Sequence, residues 1–265
     1  MSAGAAERYD SDYLQRRLPR DASVTLRNIT ISRGCFVLAG PRSREVLGKL
    51  TDVALDNAAF PWLTGRIAEI GLAPEVYALR VNFVGALGWE LHFPIEYAHH
   101  LFEAVFAAGK EFGIGMVGMR AMESLRMEKS YRMWGTDLTS DYTPFEAGLD
   151  RFVRMNKGPF IGREALERQL ASGVPQRFVT LEVHDVDDAD PLGNEPLFDK
   201  QGAIVGRATS GYYGHVLQKS LAIGYLKSEL AVPGTQLGIE ILGERKRATL
   251  LVDSPFDTDN QALKA

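Results

Sequence analysis

The stretch that decides the fold is Asn82-Phe83-Val84-Gly85-Ala86-Leu87-Gly88-Trp89-Glu90-Leu91-His92-Phe93-Pro94. Its glycines at 85 and 88 predict a tight turn, because glycine adopts turn conformations at little steric cost. Residues 89–93 then predict a strand that leaves the turn, and residues 76–81 predict the strand that enters it. The stretch is therefore expected to form the second half of a β-hairpin.

A second informative stretch, Glu123-Ser124-Leu125-Arg126-Met127-Glu128-Lys129-Ser130-Tyr131-Arg132-Met133-Trp134-Gly135, predicts a helix with charges among apolar positions. Glu90 lies in an apolar run, where a carboxylate must face water or meet a hydrogen-bond donor. The amino-amide edge of a flat heterocycle such as a pterin supplies two such donors. We therefore expect Glu90 and Arg126 to converge on one pocket. The alternative is an internal ion pair or two solvent-facing ends.

The two stretches together resemble the tetrahydrofolate-binding domain of the glycine-cleavage aminomethyltransferase (T-protein) family. In that family a glycine-rich turn ends in an aromatic residue and Glu, and a later helix carries Ser-Leu-Arg-x-Glu. The resemblance is strongest to the C-terminal region of dimethylglycine and sarcosine dehydrogenases. It extends from residue 11 to residue 257, with further matching stretches at 40–47, 144–149, 160–166, 209–212 and 218–222.

The resemblance implies that five residues contribute to tetrahydrofolate binding. Glu90 would pair with the polar edge of the pterin, and Arg126 would make a second polar contact. Trp134 falls at an aromatic position that flanks the folate in relatives, and Trp89 is the aromatic residue next to Glu90. Phe83 falls where many relatives place a tyrosine, so any hydroxyl contact made there is lost. Ordinary core packing is the alternative for Phe83 and Trp134.

The composition is that of a soluble protein, with 265 residues, 45% hydrophobic residues and 24% charged residues. This length suffices for one large domain or two smaller ones. A net charge of −4 gives no global reason to bind nucleic acid or an anionic membrane. No apolar run has the length of about 18 residues that a membrane span needs, and the start lacks the apolar core of a secretory signal. We therefore expect a cytoplasmic protein.

The order of helical and strand-like patterns along the chain predicts an α+β fold in four parts. Residues 1–22 are a remnant or linker, and residues 23–172 form a folate-binding aminomethyltransferase-like domain of antiparallel sheets and helices, its first lobe incomplete. Residues 173–257 form a small C-terminal β-barrel of short strands broken by glycine and proline, and 258–265 are a tail. Predicted helices cover 11–18, 43–50, 95–112, 119–131 and 161–170. Predicted strands outside the hairpin cover 35–38, 178–183, 203–209, 221–226, 236–242 and 248–252.

Other chemical signals are weak. Residues 113–118 match the glycine spacing of a dinucleotide-binding loop but follow a helix instead of a strand, which favours a helix-to-helix turn. His99 and His100 are adjacent and cannot easily share a metal, and Cys35 is the only cysteine, so we expect no metal site and no intrachain disulfide. Pro159 replaces the reactive cysteine of a sister family of folate-binding iron-sulfur maintenance proteins, which argues against thiol chemistry.

The activity that the resemblance implies is capture of a one-carbon unit by tetrahydrofolate. The donor would be a methylated glycine of the dimethylglycine or sarcosine type, or an aminomethyl donor, and the product 5,10-methylenetetrahydrofolate. The chain would act as the C-terminal part of a larger dehydrogenase. The expected partners are folate, a small methylated amine and a flavoprotein domain or subunit. No nucleic-acid or membrane partner and no FAD site in this chain are expected.

No catalytic residue is predicted. Relatives carry their catalytic aspartate in a lobe upstream of residue 11, and no aspartate of this sequence matches it. One alternative is therefore a non-catalytic regulatory module that keeps the fold. Another is an assembly subunit that docks onto a separate flavoprotein or first-lobe subunit. An autonomous transferase would need an acid or base that the sequence does not reveal.

Overall fold

A four-stranded antiparallel sheet organises the first part of the chain in the computed structural model, which describes residues 4–252 and 254–265. The strands follow the spatial order β1-β4-β3-β2. They are β1 (Arg33–Ala39), β2 (Gly65–Ile70), β3 (Ala73–Leu79) and β4 (Gly88–Pro94). The predicted hairpin is the β3-β4 pair, in which Leu79 lies opposite Glu90. Its connection, residues 80–87, is longer than the tight turn that the sequence predicted.

The two glycines of the hairpin serve different purposes. Gly85 has a φ of +72° and lies in a loop organised by Asn82, whose side-chain oxygen accepts hydrogen bonds from the backbone N–H groups of Val84 and Gly85. Gly88 begins β4, where an added Cβ would lie 2.5 Å from the carbonyl oxygen of Leu38. Gly85 therefore allows the chain to turn, and Gly88 allows β1 and β4 to approach closely.

Helices cover the inner face of this sheet. The helices of the chain are α1 (Glu7–Gln15), α2 (Ser43–Gly48), α3 (Ala98–Gly109), α4 (Met119–Glu128), α5 (Arg163–Ser172) and α6 (Gln261–Lys264). The inward side chains of β4 form one buried cluster with residues of α2 and α3, among them Trp89, Leu91, Phe93, Leu47 and Leu101. None of these helices has both the length and the apolar character that a membrane crossing requires, within the described residues.

The second part of the chain contains a closed barrel with the strand order β10-β5-β8-β7-β6-β9. Its strands are β5 (Gln176–Val183), β6 (Pro196–Phe198), β7 (Ile204–Gly214), β8 (Lys219–Lys227), β9 (Gln236–Ile241) and β10 (Glu244–Leu250). Fully buried side chains that fill the cluster inside it include Leu181, Leu197, Ala222, Leu226 and Ile239. The predicted C-terminal β-barrel is thus present.

The predicted helices are present with shifted ends. α1 covers residues 7–15 instead of 11–18, and short 3₁₀ turns at Ile95–Tyr97 and Lys110–Phe112 replace both ends of the predicted 95–112 helix. Gly113, with a φ of +72°, ends that segment, and residues 113–118 link α3 to α4 as expected. β2, β6 and α6 were not predicted. β6 and α6, with three and four residues, are too short to show a period.

The chain divides into two units. Unit 1 comprises the described residues up to Met122 together with Asp259–Ala265, and unit 2 comprises those of Glu123–Thr258. Residues 123–172 lie in the unit that contains the barrel, and residues 259–265 of the predicted tail lie in unit 1; the predicted domain boundaries stay a prediction. The buried guanidinium of Arg80 anchors that tail, because it donates to the backbone oxygens of Ala265 at 3.0 Å and of Phe60 at 2.7 Å.

A turn that begins at Thr143 ties the stretch before α5 to the barrel. The carboxylate of Glu146 accepts hydrogen bonds from the backbone N–H of Thr143 (2.8 Å) and from the side chain of Gln176 (3.1 Å). The backbone oxygen of Glu146 accepts a further bond from the N–H of Phe178 on β5. Burial alone would raise the pKa of Glu146, but the hydrogen bonds that its carboxylate accepts, among them those from Thr143 and Gln176, outweigh burial and lower the pKa.

Gly88→Ala should lower the free energy of unfolding by about 1–3 kcal/mol, because the new methyl group would press against the backbone of β1. Gly115→Ala is the matched control, since a Cβ at Gly115 meets nothing within 4 Å. Urea denaturation of both variants measures the difference. Equal stabilities would show that β1 and β4 do not approach as closely as described.

The stability of unit 2 should depend on pH through Glu146. Since its pKa is lower in the folded state, the unfolded state binds the proton more tightly, and the contribution to stability is lost as pH falls from about 5 to about 3. Glu146→Gln should therefore show a flatter loss of stability over this range than the wild type. Glu164→Gln, at an exposed position on α5, should behave like the wild type in the same acid titration followed by circular dichroism.

Candidate functional site

Glu90 lies on the outer face of the unit 1 sheet, opposite the buried cluster. Its cross-strand neighbours are Val37 on β1 and Leu79 on β3. Val37 is 55% exposed, and Leu79 is partly buried. The carboxylate is therefore surrounded on both sides by apolar side chains on an accessible surface.

An imidazole nitrogen and a thiol sulfur lie near Glu90. Nε2 of His92 is 3.1 Å from Oε2 of Glu90, and the sulfur of Cys35 is 3.8 Å from the same nitrogen. Cys35 and His92 are directly paired across β1 and β4. His92 is two residues after Glu90, so both side chains point to the same face of the strand. The structure thus brings together three chemically active groups.

Two ionisable side chains, His92 and Cys35, lie near the carboxylate of Glu90. Among the described residues, no lysine or arginine forms an ion pair with it. Burial of the sulfur and the negative charge of Glu90 raise the pKa of the Cys35 thiol to about 11. Because an ionised carboxylate can accept about four hydrogen bonds, Glu90 retains acceptor capacity for a ligand with two adjacent donors.

The aromatic residues predicted around Glu90 have different environments. Trp89 is completely buried and packs edge-on against Phe60, with ring centroids 6.2 Å apart. It faces the core because consecutive strand residues point to opposite faces. This burial gives Trp89 a packing role, and its contact with folate stays a prediction. Phe83 is partly buried in the loop before β4.

Arg126 lies in unit 2, where its guanidinium is buried. Its donors reach the carboxylates of Glu123 (2.6 Å) and Asp137 (2.9 Å), the hydroxyl of Ser210 (2.9 Å) and the backbone oxygen of Tyr131 (3.0 Å). Four of its five N–H donors therefore have partners inside unit 2. Arg126 therefore forms internal ion pairs with Glu123 and Asp137, neither of which the sequence suggested as its partner, and its contact with folate stays a prediction.

Asp137 is the centre of this network and is fully buried. Besides Arg126, its carboxylate accepts hydrogen bonds from the hydroxyls of Thr209 (2.5 Å) and Ser210 (2.7 Å) and from the backbone N–H of Met133 (2.7 Å). Four donors thus compensate the burial of this charge. Thr209 and Ser210 belong to the stretch 209–212 that resembles the family. Nothing in their spacing indicated that their hydroxyls donate hydrogen bonds to Asp137.

Trp134, also in unit 2, is 53% exposed and forms an isolated bridge with Leu138. It is the predicted aromatic residue with the most surface available to a ligand. Glu90, Phe83 and Trp89 belong to unit 1, whereas Arg126 and Trp134 belong to unit 2. The expected convergence of Glu90 and Arg126 on one pocket stays a prediction.

Comparison with known proteins gives consistent matches. The family model described as the GCVT N-terminal domain matches residues 1–157, and the glycine cleavage T-protein C-terminal barrel domain matches residues 176–257. The chain is 39% identical over 253 residues to the mitochondrial dimethylglycine dehydrogenase of Mus musculus, covering 95% of this chain and 29% of that relative. It is 30% identical over 247 residues to an aminomethyltransferase of Porphyromonas gingivalis, covering 92% of this chain and 67% of that relative.

A solved structure supports the same fold. The crystal structure of glycine cleavage system aminomethyltransferase T from Bartonella henselae matches with a TM-score of 0.80 and 25% sequence identity. The match covers 96% of this chain and 67% of that structure's chain. These similarities confirm the predicted α+β fold followed by a C-terminal barrel.

Arg126→Met should destabilise the protein by about 3–5 kcal/mol, because it leaves the buried carboxylate of Asp137 without its cation. Arg120→Met provides the control on the same helix, where Arg120 is exposed. Urea unfolding followed by circular dichroism measures both variants. A loss below about 1 kcal/mol for Arg126→Met would show that the ion pair between Arg126 and Asp137 contributes little to the stability of unit 2.

Proposed function

The chain belongs to the glycine cleavage T-protein family, and on that premise we propose that it binds tetrahydrofolate through Glu90 and takes part in one-carbon transfer. The observation that supports the proposal is the carboxylate of Glu90, whose side chain is 24% exposed, between the apolar side chains of Val37 and Leu79. This combination fits a flat ring system that carries hydrogen-bond donors on one edge.

The chemistry of the pterin edge explains the choice of ligand. Its amino group and the neighbouring ring N–H lie side by side, so a carboxylate can accept both hydrogen bonds at once. Hydrogen bonds to an ionised group contribute about 1.5–3 kcal/mol each. Val37 and Leu79 would pack against the flat face of the ring. Both contributions need the outer face of the sheet, which is where Glu90 lies.

The proposed reaction is capture of a one-carbon unit from a methylated glycine, of the dimethylglycine or sarcosine type, or from an aminomethyl donor. Tetrahydrofolate would become 5,10-methylenetetrahydrofolate. The protein's contribution would be to position the folate nitrogens close to the electrophilic carbon, an effect that lowers the barrier by several kcal/mol. No residue of the chain is assigned to proton transfer.

The chain spans about 29% of the length of the mouse dimethylglycine dehydrogenase that it resembles. Oxidation of a methylated amine is therefore assigned to a flavoprotein domain or subunit, with which this chain would act. Trp134 remains a proposed aromatic contact for folate because its ring is exposed. For Arg126 we propose that any contribution is mainly indirect, through the network that it holds around Asp137. The expected cytoplasmic location stays a prediction, since the name of the mouse relative places that protein in mitochondria.

Calorimetric titration with a stable reduced folate tests the proposal. The wild type should bind with micromolar affinity, and Glu90→Gln should bind at least about tenfold more weakly, because the amide loses the charge and sets an N–H against a donor of the ligand. Glu103→Gln, which changes an exposed glutamate on α3 of the same unit, should leave the affinity unchanged. Equal affinities of Glu90→Gln and the wild type would refute the role of Glu90.

Turnover distinguishes the catalytic proposal from the regulatory alternative. The chain, a methylated glycine and a flavoprotein dehydrogenase would be mixed with tetrahydrofolate, and formation of 5,10-methylenetetrahydrofolate would be followed. Folate binding without any acceleration by the chain would favour a non-catalytic module.

A further inference from the structure

The outer sheet face carries a group of side chains with the donor atoms of a metal site. We propose that Cys35, Glu90 and His92 bind a divalent transition-metal ion, zinc being the best match. The Sγ, Oε and Nε2 atoms of the three residues all lie within 4.8 Å of one another. Within the described part of the chain, no other group of three His, Cys, Asp or Glu side chains is arranged in this way.

The distances between the donor atoms fit tetrahedral zinc. Zinc binds sulfur at about 2.3 Å and nitrogen or oxygen at about 2.0–2.1 Å, so tetrahedral neighbours lie about 3.6 Å apart for sulfur and nitrogen and about 3.4 Å apart for nitrogen and oxygen. The observed separations are 3.8 Å between Cys35 and His92 and 3.1 Å between His92 and Glu90. For these two pairs, shifts of a few tenths of an ångström would reach the tetrahedral values, and the third pair, Cys35 and Glu90, lies within 4.8 Å and would have to close to about 3.6 Å by side-chain rotation.

The backbone already fixes the positions of the three residues. Cys35 and His92 are directly opposite each other in the β1-β4 ladder, and Glu90 precedes His92 by two residues on the same face. Strand β4 is paired on its other side with β3, so it is a central strand of the sheet. A site on paired strands loses little conformational freedom when it binds its ion.

The donor types select the class of metal. A thiolate, an imidazole and a carboxylate together suit zinc, whereas magnesium and calcium prefer oxygen donors alone. Binding would convert the Cys35 thiol to a zinc-bound thiolate and release its proton to solvent. Among the described residues, no lysine or arginine forms an ion pair with Glu90. The ion would supply a positive charge at this position. With three protein ligands on an accessible face, the fourth position would be open to water or a ligand.

The metal site is independent of the proposed function except for one residue. If Glu90 also binds the pterin edge, which rests on the proposed function, zinc and folate would compete for the same carboxylate. Cys35→Ser separates the two proposals, because it removes the thiolate and leaves Glu90 in place.

The test is titration of the full chain, stripped of metal by a chelator, with zinc and with cobalt(II). We expect one ion per chain with a Kd of about 1 µM or lower and a thiolate-to-cobalt charge-transfer band in the near ultraviolet. Cys35→Ser should abolish that band, and both Cys35→Ser and His92→Gln should weaken zinc binding by more than about tenfold. His184→Gln is the matched control, because His184 lies beside Glu182 in unit 2.

Three outcomes would overturn the metal proposal: no zinc binding by the wild type, zinc affinity unchanged in Cys35→Ser and His92→Gln, or a cobalt spectrum without the thiolate band. A folate titration of Cys35→Ser keeps the two proposals apart. If this variant binds folate like the wild type but has lost zinc, both proposals stand. If the wild type binds zinc but no folate, only the folate proposal fails.

Discussion

The central position of β4 in the unit 1 sheet is the constraint on which the rest of that unit depends. Pairing with β1 and β3 fixes its register, and the alternation of a strand then assigns each side chain to one face. Trp89, Leu91 and Phe93 enter the core, where each large apolar side chain contributes about 1.5–3 kcal/mol. A shift by one residue would bury Glu90 and expose these side chains. The core therefore holds Glu90 on the accessible face.

Unit 2 differs from unit 1 in that it buries a charged network around Asp137 and Arg126. Asp137 is fully buried, and its carboxylate is stable only because Arg126 and three neutral donors surround it. Two of these donors, Thr209 and Ser210, come from β7 of the barrel. The network therefore joins the segment after α4 to the barrel, which explains why residues 123–172 belong to unit 2.

The outer face of the unit 1 sheet carries a thiol and an imidazole beside the carboxylate of Glu90. A pterin edge and a zinc ion make opposite demands on Glu90, since one brings hydrogen-bond donors and the other a charge. The apolar neighbours Val37 and Leu79 favour the flat ring, whereas Cys35 and His92 favour the ion. Both ligands depend on the same feature, a carboxylate that forms no ion pair with a lysine or arginine among the described residues.

Local periodicity, turn residues and motif order were enough to predict the hairpin around Gly85, the helices except α6, the C-terminal barrel, and Glu90 as the unusual carboxylate. It did not determine that Trp89 is buried, that Arg126 is enclosed by Asp137 and Ser210, or that Cys35 lies beside His92. These contacts arise from long-range packing, since cross-strand register joins residues 57 positions apart and a buried ion pair depends on which side chains the barrel brings to it.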